Sequence, residues 1–335
     1  MRQPITSLDV IQETLVLTQR CAEECRQQYG VVTYDLNAAK PAMQIQATEK
    51  PKYDNVFIMP GVFHVEMAFF KALGKLIEDS GGPAMLTESD VVATGSLNGF
   101  LSGKHFNRCK RLHPILGLAL EVLHFQAFIE SYDKKDELTV IIEKLGQTRQ
   151  DDLKEVVASE VFVRCASSYA THIEKTRSGE QGVTAQFWMM YIDYIHHYHS
   201  LERAIRTNDI DLYIYSVTPI IDLFFATNHV NYSRWLTKFQ LDLLNIDDTH
   251  PGLREILEKG VFSVRRTSSV QQMPRGPYTR TNSKRRCCFQ ADRPNLCYQQ
   301  LLCPIAMDAY QVKPSCLHWA GAGDGWSDHQ GRRYC

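Results

Sequence analysis

Two residues in the first quarter of the chain have the type and position to do chemistry. Asp35 closes the short β-prone run Gly30-Val31-Val32-Thr33-Tyr34 and stands just before a helical segment. A carboxylate at the carboxyl end of a strand lies where open α/β sheets bind ligands, and with partners it can hold Mg²⁺. The same aspartate is also a good cap for the helix that starts near Asn37. His64 follows a second short apolar run, Asn55 to Met59, and the turn Pro60-Gly61. It can project to the same sheet edge as Asp35, or it can be a half-buried histidine bonded to a loop. Glu66, two residues on, points elsewhere around a helix.

Other candidates are thinner. His196 and His199 share a helix face at i, i+3, with Asp193 one turn earlier. Zinc takes three or four ligands, and no spaced Cys or His partner accompanies them, so a mixed aromatic and histidine helix surface is the competing reading. Cys21 and Cys25 are at i, i+4, which is not CxxC spacing. Cys287 and Cys288 are adjacent and cannot jointly grip a metal. No Walker A, GxGxxG, HExxH or GxSxG pattern occurs. Ser283-Lys284-Arg285-Arg286 is a short basic run, and Arg265-Arg266-Thr267-Ser268 has the form of a basophilic kinase site.

The elements that must position Asp35 and His64 follow from periodicity and breakers. Residues 6–29 read as a helix with Ser7 able to cap it, since Leu8, Ile11, Leu15 and Thr18 fall near a 3.6 period. The strand ending at Asp35 comes next, then a helix from Leu36 to Glu49, with Pro41 tolerated only near the first turn. Lys50-Pro51 breaks it, the second strand follows, and a helix runs from Val62 to Asp79. After the stop Ser80-Gly81-Gly82-Pro83 the pattern is almost wholly helical. Helices are predicted over His105 to Tyr132, Lys135 to Leu145, Asp151 to Val163, Thr184 to Thr207, Ile210 to Ala226 and Tyr232 to Leu244. Val261 to Arg266 is strand-like, and from Thr267 the chain reads as disordered.

Composition bounds the function class. The hydrophobic fraction is 44% with 10% aromatic residues, ordinary for a buried core. Net charge is −1, which gives no global attraction to nucleic acid or anionic lipid. Residues 271–335 hold 9 Lys and Arg against 4 Asp and Glu, whereas the first 270 hold 28 against 34. Six of the ten cysteines lie in that tail, and no Glu follows Glu258. The amino terminus has no apolar signal region and no run of about 18 apolar residues appears, so an intracellular protein, nuclear or cytoplasmic, with reduced thiols and no membrane partner is expected. Nothing marks a small-molecule substrate.

The stretch Tyr34 to Gln46, with Asp35 and Pro41, and the stretch Asp54 to Met67, with Pro60-Gly61 and His64, resemble an uncharacterised transposon-encoded family of invertebrate and fish genomes. Gly95 to Lys104, Phe187-Trp188-Met189 and Asn231 to Leu236 fit the same family, and the resemblance runs from Val31 to Thr267. The order of elements is similar to the second half of a Mutator-like transposase with an RNase H-like core. That resemblance implies that Asp35 matches the second metal-binding aspartate and His64 the histidine after the next strand. It also implies DNA as partner and two-metal phosphoryl transfer, with Mg²⁺ ions about 4 Å apart. The sequence departs from the pattern twice: only a helix precedes Gly30 where strands and a first Asp belong, and the late acidic residue is missing.

The expected fold is therefore mainly α (α+β), a two- or three-strand sheet remnant followed by a large helical insertion. The expected division is a partial α/β core over 1–83, a helical domain over 84–259 that is soluble alone, and a strand-like end with a tail over 260–335. The expected function is that of a truncated, catalytically inactive transposase-derived protein. Asp35 (metal) and His64 are vestigial site residues, and no cofactor remains beyond an ancestral Mg²⁺. The alternative is a helical protein-interaction module in which Asp35 is only a cap. A nucleic-acid-binding host protein is disfavoured by the acidic first 270 residues. Shifted by one base with permitted codons, Pro277 to Phe289 spells Leu-Thr-Leu-Glu-Gln-Thr-Val-Asn-Ala-Asp-Ala-Ala, so the tail is expected to be an out-of-frame reading.

Overall fold

The computed structural model describes residues 7–148, 153–265 and 272–274. The tail cysteines, the basic run at 283–286, most of the kinase-type string at 265–268 and the proposed frame shift lie outside the described residues. In chain order the elements are α1 (Leu8–Glu24), β1 (Gly30–Tyr34), α2 (Leu36–Thr48), β2 (Val56–Pro60), α3 (Val62–Ile77), α4 (Gly82–Glu88), α5 (Thr94–Leu101), α6 (Phe106–Ser131) and α7 (Lys135–Gln147). There follow α8 (Leu153–Ala158), α9 (Glu160–Arg177), α10 (Val183–Thr207), α11 (Ile210–Ala226), α12 (Val230–Leu244), α13 (Ile246–Thr249), α14 (Leu253–Glu258), β3 (Ser263–Arg265) and β4 (Gln272–Pro274). The protein is mainly helical, with a two-stranded parallel sheet of β1 and β2 and an antiparallel β3–β4 pair.

Local chemistry explains most element boundaries. Asp35, Ser159 and Asp209 each stand in extended backbone and accept an amide hydrogen bond from the third residue after them, which starts α2, α9 and α11. Ser159 splits the helix predicted over 151–163: its hydroxyl accepts from Phe162 N at 3.3 Å, so a new helix begins there and runs on to Arg177. Ser7 is at the cap position of α1, yet its side chain makes no capping bond. Pro41 stands at the sixth residue of α2, beyond the first turn, and the helix continues through it. Asn37, whose carbonyl loses that donor, is exposed.

The described residues form two compact units, each discontinuous in sequence. The first takes residues up to 83, 95–110 and from 196 onward; the second takes 84–94 and 111–195. The division falls within α6 and α10, whereas the sequence pattern suggests contiguous segments split at 84 and 260.

The first unit holds the sheet. β1 and β2 run parallel in the register Gly30↔Val56 to Tyr34↔Pro60, with α2 as the crossover that parallel strands require. All five residues of β2 are buried, while β1 is only partly covered. Ile11 and Leu15 of α1, Met43 of α2, and Phe69 and Phe70 of α3 are each no more than 1% exposed, and so is Phe239 of α12. Phe57 packs on Phe239 with ring centroids 6.1 Å apart, and Phe69 stacks on Tyr198 at 5.5 Å.

The second unit is a helical cluster. Phe125, Phe128, Leu138, Ile141, Phe162, Tyr169 and Ile192 bring α6, α7, α9 and α10 around one core, with Cys165 fully buried among them. Over an 18-residue window α6 reaches a mean hydropathy of 1.4, so among the described residues one helix is long and apolar enough, by length and composition only, to cross a membrane. His113, Pro114, Glu121, His124 and Gln126 interrupt this stretch, so it holds no unbroken apolar run of about 18 residues.

Candidate functional site

The parallel ladder decides where Asp35 and His64 stand. Because Tyr34 is level with Pro60, the residues that follow, Asp35 and Gly61, leave the sheet at one edge. Gly61 N donates to Tyr34 O at 2.6 Å and ties the two exits together. A Cβ on Gly61 would lie 3.1 Å from that same carbonyl, so glycine permits the close approach. α3 starts at the next residue, and His64 N donates to Gly61 O at 3.0 Å in its first turn. Asp35 and His64 are both half-buried at this edge.

Their side chains are occupied locally. Asp35 Oδ1 accepts from Ala38 N at 2.9 Å, the bond of an ordinary helix cap. The His64 ring lies edge-on to Phe63 with centroids 5.4 Å apart. No hydrogen bond among the described residues joins the two. A residue that sequence reasoning left out feels the charge at this edge: Tyr232, on α12, whose ring packs on Phe224 with centroids 5.3 Å apart. Its phenol is pushed up to about 12, mainly by burial and further by the Asp35 charge. Asn231-Tyr232-Ser233 carries no chemical signature, so only the packing of α12 against α2 and β2 brings it there.

Deeper in the same unit lies a charged cluster. Glu66, 7% exposed, accepts from Lys110 Nζ at 3.0 Å and from Tyr198 OH at 3.0 Å. Lys110 also contacts Glu202 at 2.9 Å, and Arg206 reaches Glu202 at 3.4 Å. Burial raises the Glu66 carboxyl above the usual range, against the opposing pull of Lys110. Glu66 thus points away from the sheet edge, as its helical offset from His64 predicts. The signal available in sequence was a lone acid inside the apolar run Val62 to Phe70.

The remaining candidates are committed elsewhere. Arg177 grips Asp193 with two bonds of 3.0 and 2.6 Å, which removes it as a partner for His196 and His199. His199 Nδ1 lies 4.0 Å from Glu202. Cys21 and Cys25 are free and exposed. In the second unit His113 Nδ1 bonds Tyr191 OH at 2.7 Å, and burial lowers the imidazole to about 3. His124 bonds Tyr169 and Thr176 and is lowered by burial to about 4. An open cleft of about 390 Å³ is lined by Tyr132, Lys134, Arg164, His172 and Lys175, with Arg164 held by Glu137 at 2.8 Å.

Chemically, the sheet edge offers one carboxylate and one imidazole. Two-metal phosphoryl transfer needs several carboxylates around the ions. Among the described residues no group of three or more His, Cys, Asp or Glu side chains is placed to hold a metal.

No curated protein and no solved structure matches the chain. A family model does, and its match ends at residue 272, next to the change in composition at Gln271. With residues 1–272 matched, the chain belongs to the family described as domain of unknown function (DUF8702).

Proposed function

We propose that this is a transposase-derived protein that no longer performs DNA phosphoryl transfer and acts through binding, inside the cell, in nucleus or cytoplasm. The observation that carries the reading is the strand–Asp–helix–strand–His-helix order, with both residues leaving one edge of a parallel sheet. That order is the one the resemblance to Mutator-like transposases implies, with Asp35 and His64 as what remains of the centre. Loss of activity is supported by the engagement of Asp35 with Ala38 N and by the lack, among the described residues, of a metal-holding group of three or more His, Cys, Asp or Glu side chains. Mg²⁺ is then ancestral only, and DNA is a partner by resemblance.

The purified protein, incubated with supercoiled plasmid and Mg²⁺ or Mn²⁺, is expected to leave the DNA intact. Cleavage that needs the divalent ion and disappears in Asp35→Asn would overturn the reading. Terminal repeats and high copy number in the genomic DNA around the coding region are the expected mark of transposon ancestry.

A second reading has its own observation. The Asp35 bond to Ala38 N is what any helix-capping aspartate makes, so a helical interaction module without catalytic ancestry explains it equally. Single-copy genomic context without repeats decides for this alternative.

A further inference from the structure

Helix α3 carries a row of positive charge away from the Asp35 edge. His64, Lys71 and Lys75 stand at i, i+7 and i+11, which puts all three on one stripe of the helix. At 1.5 Å per residue the stripe is about 16 Å long. Lys71 and Lys75 are exposed. Lys75 Nζ donates to Thr227 O at 3.0 Å, in the turn between α11 and α12. His229, in the same turn, has its imidazole lowered first by burial and then by the charges of Lys71 and Lys75. Among the described residues no carboxylate stands with the charges that act on it.

The other flank of the row is the loop before α6. Gly103, with φ +71°, lies so close to α3 that a Cβ on it would be 2.9 Å from Met67 O and 3.0 Å from Lys71 N. That approach sets the next residue, Lys104, beside the row. α6 then starts with no acidic residue in its first turn and with Arg108 in it. A cation there opposes the helix macrodipole, whose amino end is positive. Lys104 and Arg108 are exposed. Lys110, two residues on, is held by Glu66 and Glu202. Among the described residues Lys71, Lys75, Lys104 and Arg108 stand in no ion pair. Glu78 and Asp79, exposed just past the end of α3, close the row.

We propose that this cationic track binds the phosphate backbone of a nucleic acid, laid along α3 towards Asp35 and His64. The proposal rests on the reading of the chain as a binding protein and names the surface that binds. A stripe of about 16 Å spans about five phosphates of one duplex strand, enough to engage four cations. The whole-chain charge of −1 hides the track, because counterion release depends on the local row of cations and not on the net charge. Contacts of this kind go to the backbone and carry no base specificity. An anionic membrane surface fits less well. A helix that lies on lipid presents an exposed apolar face. Phe69, Phe70 and Leu73 of α3 are instead fully buried, and no exposed large hydrophobic side chain stands on α3 or over 102–110.

Fluorescence anisotropy of a labelled duplex oligonucleotide with the full chain tests this. Between about 50 and about 200 mM salt, binding is expected to weaken on the order of 100-fold, a slope of about −3.6 in log K against log salt. Lys71→Gln, Lys104→Gln and Arg108→Gln should each flatten that slope by about 0.9 and, at the lower salt, weaken binding about tenfold. Helical circular dichroism should stay unchanged; if the triple variant loses helicity, the single ones decide. Lys175→Gln, at an exposed lysine of the second unit, should leave binding as it is. Three results overturn the proposal: no binding at the lower salt, equal affinity for vesicles of phosphatidylserine, or binding unchanged in the triple variant. The last is expected if the basic run at 283–286 binds instead. Unchanged binding beside a gene flanked by terminal repeats would sink this surface and leave the transposon reading standing. Binding lost in the variants of a single-copy gene would do the reverse.

Discussion

The sheet edge and the buried charged cluster lie in one unit, and both hold ionisable side chains, but they are supported differently. At the edge, Asp35 is served by Ala38, three residues on, and His64 by its neighbour Phe63. In the cluster, Glu66 is served by Lys110 and Tyr198, which are 44 and 132 residues away in sequence. The first kind of support exists as soon as a helix forms. The second exists only when α3, α6 and α10 are packed together. Removing a local partner therefore weakens one helix end, whereas removing a distant one strands a charge in a dry interior. Of the two, the cluster is the one whose disruption should cost the fold more, although the edge has the more suggestive residues.

The largest effect should come from Lys110→Met. Glu66 is then buried without its cation, and urea unfolding should show a loss of about 3 kcal/mol. Combining it with Glu66→Gln should recover much of that loss. If the double variant is as unstable as the single one, the pair is not coupled and the contrast with the edge fails.

Acid should act next, through His113 of the second unit. Its imidazole is neutral in the fold and lowered by burial to about 3. Stability from this group is present above the ordinary histidine range near pH 6.5 and is lost as pH falls towards about 3. His113→Gln should make that acid limb shallower by about one proton. An unchanged slope would mean that this histidine is not buried and neutral.

Glu66 shifts the other way. Its carboxyl is raised above the usual range, first by burial. The stability it contributes is present below the ordinary glutamate pKa and declines as pH rises through the raised value. The difference between wild type and Glu66→Gln, followed upward from pH 4, should fall and then level. A flat difference would place Glu66 in a solvated setting like that of the edge.

The smallest effects belong to Asp35. Asp35→Ala should lower stability by about 1 kcal/mol through loss of the cap on α2, and Asp35→Asn by only a few tenths. If both variants are neutral in thermal unfolding, the bond to Ala38 N is not a stabilising cap and the edge is freer than its geometry implies.

Sequence alone carried the elements around the edge. β1 is found where the β-prone run predicts it, α2 and α3 start after Asp35 and Gly61, and α11 spans the predicted residues. These are decided by neighbours within a turn or two: β-branched runs, an aspartate that caps, a proline–glycine stop. The mainly helical class with a small sheet was legible for the same reason. The break at Ser159 was less so, because a serine inside a helical pattern reads equally as a surface position until its hydroxyl is seen to cap.

Tertiary structure decided the rest. That β1 and β2 pair in parallel and send Asp35 and His64 out of one edge depends on the path of α2, which periodicity does not specify. The effect of the Asp35 charge on Tyr232, Lys110 on Glu66, and Arg177 on Asp193 join residues far apart in the chain or on different helices. Such contacts leave no local trace, since an exposed lysine and a buried one are written alike. The physical reason is range. Capping and strand propensity act over three or four residues, while burial, and with it each displaced pKa, is a property of the assembled core.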